Sequence, residues 1–203
     1  MILGVILAGG RATRMGGGDK GLKQIGGQPM LGRVINRIGP QVELLIINAN
    51  GDPERFIDFD LPVLPDDLPD HPGPLAGILT AMDYAAEMTS ENLVLSVAAD
   101  CPFLPYDLAP RLLALLKLHD ARISIARSGG LAQPTIALWD ISLRHDLRRA
   151  LADEGLRKID IFTARYSTTS VDWPITPYDP FFNANTPDDL ALAESIASRY
   201  ADA

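Results

Sequence analysis

The sequence predicts an α/β fold, a Rossmann-like three-layer α/β/α sandwich with a mostly parallel, partly mixed sheet. Short β-branched or aliphatic runs alternate with longer segments of helical period, as in a sheet covered by helices on both faces. The stretch Ser128-Gly129-Gly130 lies between two strand-like runs, which predicts a hairpin and therefore one antiparallel pair. With 203 residues, 47% hydrophobic and 22% charged, the chain has the composition of a globular protein, and we expect residues 1–203 to form a single domain.

Each element follows from its own pattern. The predicted strands are 2–8, 42–48, 61–65, 92–99, 122–127, 133–139 and 166–172. After Pro74, apolar residues recur at the spacing of one helical face, and a second such face lies within 108–116. The last helix is predicted to run from a cap at Thr186, with Pro187 in its first turn, to about Arg199.

Charge and cysteine content exclude several classes of protein. The formal net charge of -8 argues against DNA or RNA as a partner. A single cysteine, Cys101, permits no intramolecular disulfide, and no stretch reaches the roughly 18 apolar residues of a membrane helix. The first residues are predicted to be a buried strand and not a signal peptide. We therefore expect a cytoplasmic protein with no membrane partner.

The first forty residues nevertheless carry six basic side chains and one acid, which leaves twelve basic and twenty-five acidic residues for the rest of the chain. These charges flank a glycine-rich segment, 9–21, directly after the first predicted strand. Glycines let backbone N–H groups approach phosphate oxygens, and cations hold a triphosphate. The segment thus predicts a nucleotide phosphate site. The six basic residues are Arg11, Arg14, Lys20, Lys23, Arg33 and Arg37.

Other interpretations of this segment fit less well. A Walker A motif requires Ser or Thr after Gly-Lys, whereas Lys20 lies between Asp19 and Gly21. Glycines 16, 18 and 21 have dinucleotide-fingerprint spacing, but they begin eight residues after the strand ends. An NAD-dependent oxidoreductase would also need an acid at the end of the second strand, where Asn48 stands instead. A surface loop without a ligand is the remaining alternative.

The segment Leu-Ala-Gly-Gly-x-x-x-Arg-Met-Gly-Gly-x-Asp-Lys, residues 7–20, resembles the signature of molybdenum cofactor guanylyltransferases within the nucleotidyltransferase superfamily. Relatives that transfer cytidylyl groups usually have Leu-Ala-Ala-Gly, so Gly9 favours guanine. The resemblance implies that the loop binds the nucleotide and that Arg14 and Lys20 act in catalysis. The implied nucleotide-binding residues of the loop are Leu7, Ala8, Gly9, Gly10 and Lys20.

The resemblance continues at spaced positions along the chain. It implies that Asn48 contacts the nucleotide and that Asp66 binds guanosine, since a carboxylate can accept the N1 and N2 protons of guanine. A plain turn and a solvated loop acid are the alternatives. The segment Gly73-Pro74-Leu75 resembles the family element at a helix start, where backbone N–H groups would face the nucleotide.

The main catalytic and metal-binding candidate is Asp100, an acid that closes an apolar, centrally placed strand. Such a carboxylate needs a partner, and Mg²⁺ would supply one. Capping of a short turn before Pro102 is the alternative. Asn183 and Asn185 resemble the family's Asn-x-Asn-Thr-Pro element near the metal and the second substrate. Gln133 stands where many family members have His, so a proton-carrying role at that position is in doubt.

The resemblance implies transfer of GMP from GTP to molybdopterin with release of pyrophosphate, with Mg²⁺ as cofactor. Transient contacts with proteins that deliver molybdopterin and with molybdoenzyme-maturation proteins are implied as well. A cytidylyltransferase for molybdopterin or a sugar-phosphate nucleotidyltransferase would use the same loop chemistry. A non-catalytic GTP-binding regulator is a third possibility, and Asp100 argues against it.

Overall fold

A computed structural model describes residues 1–9, 19–68, 73–88 and 92–200 of the chain. Strands and helices alternate over most of its length, as predicted. The strands are β1 (Ile2–Leu7), β2 (Gln24–Ile25), β3 (Gln28–Pro29), β4 (Leu44–Asn48), β5 (Val63–Leu64), β6 (Leu93–Ala98), β7 (Ile123–Ser128), β8 (Leu131–Asp140) and β9 (Thr168–Trp173). The α-helices are α1 (Met30–Ile38), α2 (Pro74–Met88), α3 (Leu108–Leu118), α4 (Arg144–Ala152), α5 (Ile159–Thr163) and α6 (Pro187–Arg199).

Seven strands form one sheet in the order β5-β4-β1-β6-β8-β7-β9. The pairs β4–β5, β1–β4, β1–β6 and β7–β9 are parallel, whereas β8 runs antiparallel to both β6 and β7. The chain moves outward from β1 to β4 and β5, and then crosses back to place β6 on the other side of β1. This topological switch point, between β1 and β6, is where open α/β sheets bind ligands beyond the carboxyl ends of the strands.

Apolar residues of β1 alternate between the two faces of the sheet, which confirms the three-layer arrangement. Leu3 and Val5 pack with α2, α4 and α5, whereas Ile2 and Ile6 pack with α1 and α3. Successive side chains of a strand point to opposite faces, so both faces of a central strand are buried only if helices cover both. A smaller apolar cluster packs α6 against the β2–β3 ribbon through Ala193 and Ile25.

The predicted strands are confirmed, with ends that shift by a few residues. The segment predicted as 61–65 is reduced to Val63–Leu64, because Pro62 and Pro65 lack the N–H that a ladder requires. The hairpin is confirmed as well. Gly129 and Gly130 join β7 to β8 with φ of +54° and +80°, the positive values that a two-residue hairpin turn needs. The short β2–β3 ribbon was not predicted.

The two helical faces read from the sequence are buried in the fold. In α2, Leu75 and Ile78 are fully buried, and in α3 Leu108 and Leu112 are too. Helix α6 begins at Pro187 with a capping box between Thr186 and Asp189, as the cap at Thr186 predicted. Over the described residues, no helix has both the length and the hydropathy needed to cross a membrane.

Candidate functional site

The carboxyl ends of β4, β1 and β6 lie side by side, and backbone hydrogen bonds at the end of β1 connect it to both neighbouring strands. The Ala8 N–H donates to the carbonyl of Asn48 at 2.8 Å, and the carbonyl of Leu7 accepts from the Ala99 N–H at 3.2 Å. Gly9 is exposed, and a Cβ built on it meets no atom of the described part of the chain within 4 Å. Gly10 and Arg14, both predicted site residues, lie outside the described part of the chain.

A cluster of one cation and three oxygen-bearing side chains occupies the switch point. The ammonium of Lys20 donates to the Asp100 carboxylate, to Oδ1 of Asn185, and to Oδ1 of Asn183 at 3.1 Å. The Lys20 and Asp100 side chains are only 11% and 18% exposed. Residues from the glycine-rich segment, the end of β6 and the C-terminal segment thus converge on one point. We call these four residues the lysine cluster.

The backbone explains why the asparagines reach this point. The Ala184 N–H donates to the carbonyl of Asp100 at 3.1 Å, and the Ala184 side chain is fully buried. Asn183 and Asn185 flank it, and in an extended segment residues two apart share a face. The carboxylate of Asp189 accepts from the Asn185 N–H at 2.9 Å, and this bond is the main cause that lowers the pKa of Asp189. The cap of α6 therefore fixes the position of Asn185.

A divalent cation would find suitable oxygen ligands in the lysine cluster. In the described residues, no three His, Cys, Asp or Glu side chains come together as a metal site, and Asp100 is the carboxylate of the lysine cluster. Mg²⁺ is commonly held by one or two carboxylates together with substrate phosphates and water. The oxygens of Asp100, Asn183 and Asn185 already surround a cation in the form of the Lys20 ammonium. The residues present fit such an ion.

Cys101 has a structural setting. Its side chain is buried, and burial is the main cause that raises the pKa of its thiol well above the ordinary value. Its Sγ lies 3.7 Å from the carbonyl oxygen of Phe181. A thiol that stays protonated is a poor nucleophile.

A second cluster lies beyond β4 and β5, where two amides hold one carboxylate. Oδ1 of Asp66 accepts from Nδ2 of Asn48 at 2.9 Å, and Oδ2 accepts from Nδ2 of Asn50 at 2.8 Å. The Asp66 N–H donates in turn to Oδ1 of Asn50 at 2.8 Å. Asp66 is thus oriented by its neighbours, unlike the adjacent Asp67, whose exposed carboxylate pairs with Arg148. We call Asn48, Asn50 and Asp66 the amide–carboxylate cluster.

The start of α2 packs directly against this second cluster. A Cβ on Gly77 would lie 2.1 Å from Oδ1 of Asn48 and 2.7 Å from Cδ2 of Leu7, so only glycine permits this approach. Gly73 has φ +88°, and Pro74 is the first residue of α2. The Leu75 side chain is fully buried in the core, which leaves only its backbone to face a ligand.

Gln133 belongs to a polar chain that sequence reasoning missed. Its Nε2 donates to the Ser128 hydroxyl at 3.3 Å, and that hydroxyl donates to Oδ2 of Asp179 at 3.1 Å. The other oxygen of Asp179 accepts from the Phe181 N–H at 2.9 Å. This chain connects the β7–β8 hairpin to the segment that carries Asn183. Its members are scattered between residues 128 and 181, with no common motif that could have revealed them.

The sequence also gave no sign of an ion pair beside the lysine cluster. Nε of Arg55 lies 3.2 Å from Oδ2 of Asp19, the residue before Lys20. Arg55 comes from the 3₁₀ helix Pro53–Phe59, which lies in sequence between Asn50 and Asp66 of the amide–carboxylate cluster. Because Nη2 of Arg55 also donates to the carbonyl of Asn50, the guanidinium lies between the two clusters.

A cation, an acid and two amides at the switch point of a mostly parallel sheet, after a glycine-rich segment, define a nucleotidyltransferase-like α/β protein. The family model of the MobA-like NTP transferase domain matches residues 4–166. The chain belongs to this family, which consists of enzymes that transfer nucleotidyl groups.

Relatives match the chain over nearly its whole length. It is 53% identical to a molybdenum cofactor guanylyltransferase of Bradyrhizobium sp. (strain ORS 278), covering 96% of this chain and 92% of the relative. A protein of the same name from Rhodopseudomonas palustris (strain BisB5) is 54% identical over 96% of this chain and 93% of its own length.

Solved structures agree with the fold. Molybdopterin-guanine dinucleotide biosynthesis protein A from Archaeoglobus fulgidus superposes with a TM-score of 0.76 at 24% identity, covering 98% of this chain and 100% of that one. Rv0371C from Mycobacterium tuberculosis, solved as a complex with manganese, gives 0.70 at 18% identity, with 96% and 98% covered. At these identities the likeness concerns the fold alone.

Proposed function

We propose that this protein transfers GMP from GTP to molybdopterin and releases pyrophosphate, forming the molybdopterin guanine dinucleotide cofactor. The observation that carries the proposal is the lysine cluster, which brings Lys20 to Asp100 beside the end of β1. Two relatives that share more than half of their aligned residues with this chain have this activity as their name. Residues 1–203 act as one nucleotidyltransferase domain in the cytoplasm.

The reaction needs no nucleophile from the protein. The terminal phosphate of molybdopterin attacks the α-phosphorus of GTP, the new P–O bond forms, and the bond to the leaving pyrophosphate breaks. Such transfers depend on alignment and on stabilisation of the charge that develops on the phosphate oxygens. The N–H groups of Gly9 and Gly10 and the cations Arg14 and Lys20 hold the phosphates. Leu7 and Ala8 bring this segment to the carboxyl ends of the strands, since the Ala8 N–H is bonded to Asn48.

Asp100, with Asn183 and Asn185, would hold Mg²⁺ as the cofactor. When bound, the metal ion neutralises charge on the phosphate oxygens during transfer. The support for this assignment is the convergence of three oxygens on one cation position. Lys20 remains within reach of the same region and serves as a second, organic cation for the triphosphate.

The amide–carboxylate cluster recognises the guanine base of GTP. Asp66 accepts the N1 and N2 protons, and Asn48 and Asn50 hold its carboxylate in place. A base that lacks two adjacent donors, such as adenine, cannot form both hydrogen bonds to this carboxylate, which costs binding free energy. Gly73, Pro74 and Leu75 contribute backbone contacts at the start of α2.

Protein partners follow from the reaction. The acceptor has to arrive from a protein that supplies molybdopterin, and the product has to pass to a protein that matures molybdoenzymes. Both contacts are transient in this proposal. The net charge of -8 supports the expectation that neither nucleic acid nor a membrane surface is a partner.

A panel of GTP, CTP, ATP and UTP, each with and without molybdopterin, tests the proposal. We expect pyrophosphate release only with GTP and molybdopterin together, and a guanine dinucleotide product by mass spectrometry. Release with CTP and molybdopterin would support cytidylyl transfer. Release when a sugar phosphate replaces molybdopterin as acceptor would support a sugar-phosphate nucleotidyltransferase. Either result would overturn the assignment.

Asp66→Asn examines base recognition in the same assay. We expect the preference for GTP over ATP to fall by about tenfold or more, since hydrogen bonds to a charged group contribute roughly 1.5–3 kcal/mol. Asp67→Asn is the matched control, because its exposed carboxylate pairs with Arg148 and lies one residue away. An unchanged preference in the Asp66 variant would contradict the role given to the amide–carboxylate cluster.

A further inference from the structure

Building on the proposed function, we propose that Arg55 is a positioning residue that couples guanine recognition to the placement of Lys20. Its guanidinium lies between the two clusters, with Asp19 on one side and the backbone of Asn50 on the other. Sequence motifs do not assign it any role.

The guanidinium makes three contacts. Nη2 donates to the carbonyl of Asn50 at 2.5 Å, Nε lies 3.2 Å from Oδ2 of Asp19, and the guanidinium carbon lies 4.8 Å from the centroid of the Phe56 ring. Gly51 has φ +88°, and a Cβ there would lie 3.6 Å from Nη1 of Arg55. The turn at Gly51 thus brings Asn50 and Arg55 together, and a lysine could not make the two polar contacts from one planar group.

Each of the two polar contacts of Arg55 is with a residue that belongs to a cluster or adjoins one. The residue whose carbonyl accepts from Arg55 is Asn50, and the side chain of Asn50 exchanges two hydrogen bonds of 2.8 Å with Asp66. The residue paired with Arg55 through its charge is Asp19, which directly precedes Lys20 in the lysine cluster. A displacement of the guanidinium therefore moves the supports of both clusters.

The ion pair is unlike one that serves stability alone. The side chains of Arg55 and Asp19 are partly buried, at 29% and 21% exposed, and the water that reaches both side chains weakens the contribution of their attraction to folding. Nε of Arg55 is buried and close to Asp19 but lacks hydrogen-bond geometry. A contact that is loosely satisfied in this way can adjust when a nucleotide arrives between the clusters. Its effect should appear in nucleotide selectivity.

Arg55→Met tests this role, with binding as the measurement. Dissociation constants for GTP and ITP are measured by calorimetry without acceptor; ITP lacks the 2-amino group that Asp66 accepts in the proposed function. We expect Arg55→Met to weaken GTP binding by about tenfold and to lower the GTP-to-ITP preference by roughly fivefold, within the usual range of coupling in a shared network. The double variant Arg55→Met/Asp66→Asn should show the same GTP-to-ITP preference as Asp66→Asn alone, because Arg55 acts on this preference through Asp66.

Arg111→Met is the matched control. Arg111 also lies over an aromatic ring, 4.3 Å from the centroid of Trp173, pairs with an acid, Asp107, at 3.6 Å, and donates to a backbone carbonyl, that of Asp172, at 2.9 Å. It contacts neither cluster. We expect its variant to bind GTP and ITP like the natural protein. Arg55→Lys provides a second variant that keeps the charge, and it should recover part of the lost preference.

The results separate the inference from the function beneath it. Suppose that the natural protein prefers GTP to ITP and that Arg55→Met and Arg55→Lys, like Arg111→Met, do not change this preference. The coupling role is then wrong and the proposed function stands. If the natural protein binds no GTP, the proposed function itself fails. A fall in preference confined to the Arg55 variants supports the coupling.

Discussion

The amide–carboxylate cluster and the lysine cluster are built on opposite principles. In the first, the Asp66 carboxylate accepts hydrogen bonds from the side-chain amides of Asn48 and Asn50. The backbone N–H of Asp66 donates to the side chain of Asn50, so the three residues orient one another. In the second, three oxygen-bearing side chains accept hydrogen bonds from one lysine, which is distant from all three of them in sequence. The first has a fixed shape suited to reading a planar base. The second presents an exchangeable cation position suited to phosphate and metal.

Asp100→Asn addresses the lysine cluster at its only carboxylate and has the largest expected effect. Removing the charge leaves the Lys20 ammonium and any divalent ion without their anionic partner. We expect the transfer rate to fall by about a thousandfold or more, as for loss of a main electrostatic group, in a pyrophosphate-release assay. Asp140→Asn is the control, because Asp140 is paired with Leu93 at the opposite end of β6. Equal activity of the two variants would contradict a metal site at Asp100.

Lys20→Met distinguishes an exchangeable cation position from a fixed salt bridge. We expect transfer to slow by about a hundredfold through loss of a phosphate contact. Without nucleotide, Mn²⁺ should bind about tenfold more tightly, because no ammonium competes for the three oxygens. Electron paramagnetic resonance of free Mn²⁺ gives the affinity directly. Lys23→Met, which removes the same charge three residues away, should leave it unchanged, and weaker Mn²⁺ binding by the Lys20 variant would refute the competition.

Gly77→Ala disrupts the fixed shape of the amide–carboxylate cluster. The new methyl group would overlap the Asn48 amide, and overpacking of this kind usually destabilises by about 1–3 kcal/mol. We expect that loss in denaturant unfolding, together with weaker GTP binding. Gly39→Ala meets no atom within 4 Å and should keep or slightly raise the free energy of unfolding. Equal stability of both variants would show that Asn48 can move aside freely.

Gly9→Ala has the smallest expected effect on the protein itself. Among the described residues, no atom lies within 4 Å of the added methyl group, so we expect the free energy of unfolding to change by less than about 0.5 kcal/mol. If the nucleotide passes close to Gly9, GTP binding weakens while stability stays the same. Calorimetry with GTP and CTP gives this result, and unchanged affinity for both nucleotides would remove Gly9 from the binding surface.

Much of the fold could be read from short-range patterns. Strand β1 is a continuous apolar run, and the turn after β7 consists of two glycines, so both are encoded within a few residues. Lys20 and Asp100 were both identified as candidate catalytic residues from the sequence, and their side chains are in contact. The roles given to them remain predictions.

Other contacts had no local signal. Arg55 stands in a polar segment that looks like any exposed turn, and its pairing with Asp19 joins residues 36 positions apart. The Gln133, Ser128 and Asp179 chain likewise depends on how a hairpin meets the C-terminal segment. Side chains of this kind carry no periodicity, so their partners are set only when distant elements pack.

The amino-acid sequence by itself determined the order of strands and helices, the hairpin, the cap of α6 and the residue types available for phosphate, metal and base. Each of these depends on backbone preferences and hydrophobic periodicity over a few neighbouring residues. The tertiary structure alone decided that Asn183 and Asn185 face the same lysine as Asp100, that Gly77 makes room for Asn48, and that Arg55 lies between two clusters. Those arrangements require elements far apart in the chain to meet, and close packing of a whole domain is what fixes where they meet.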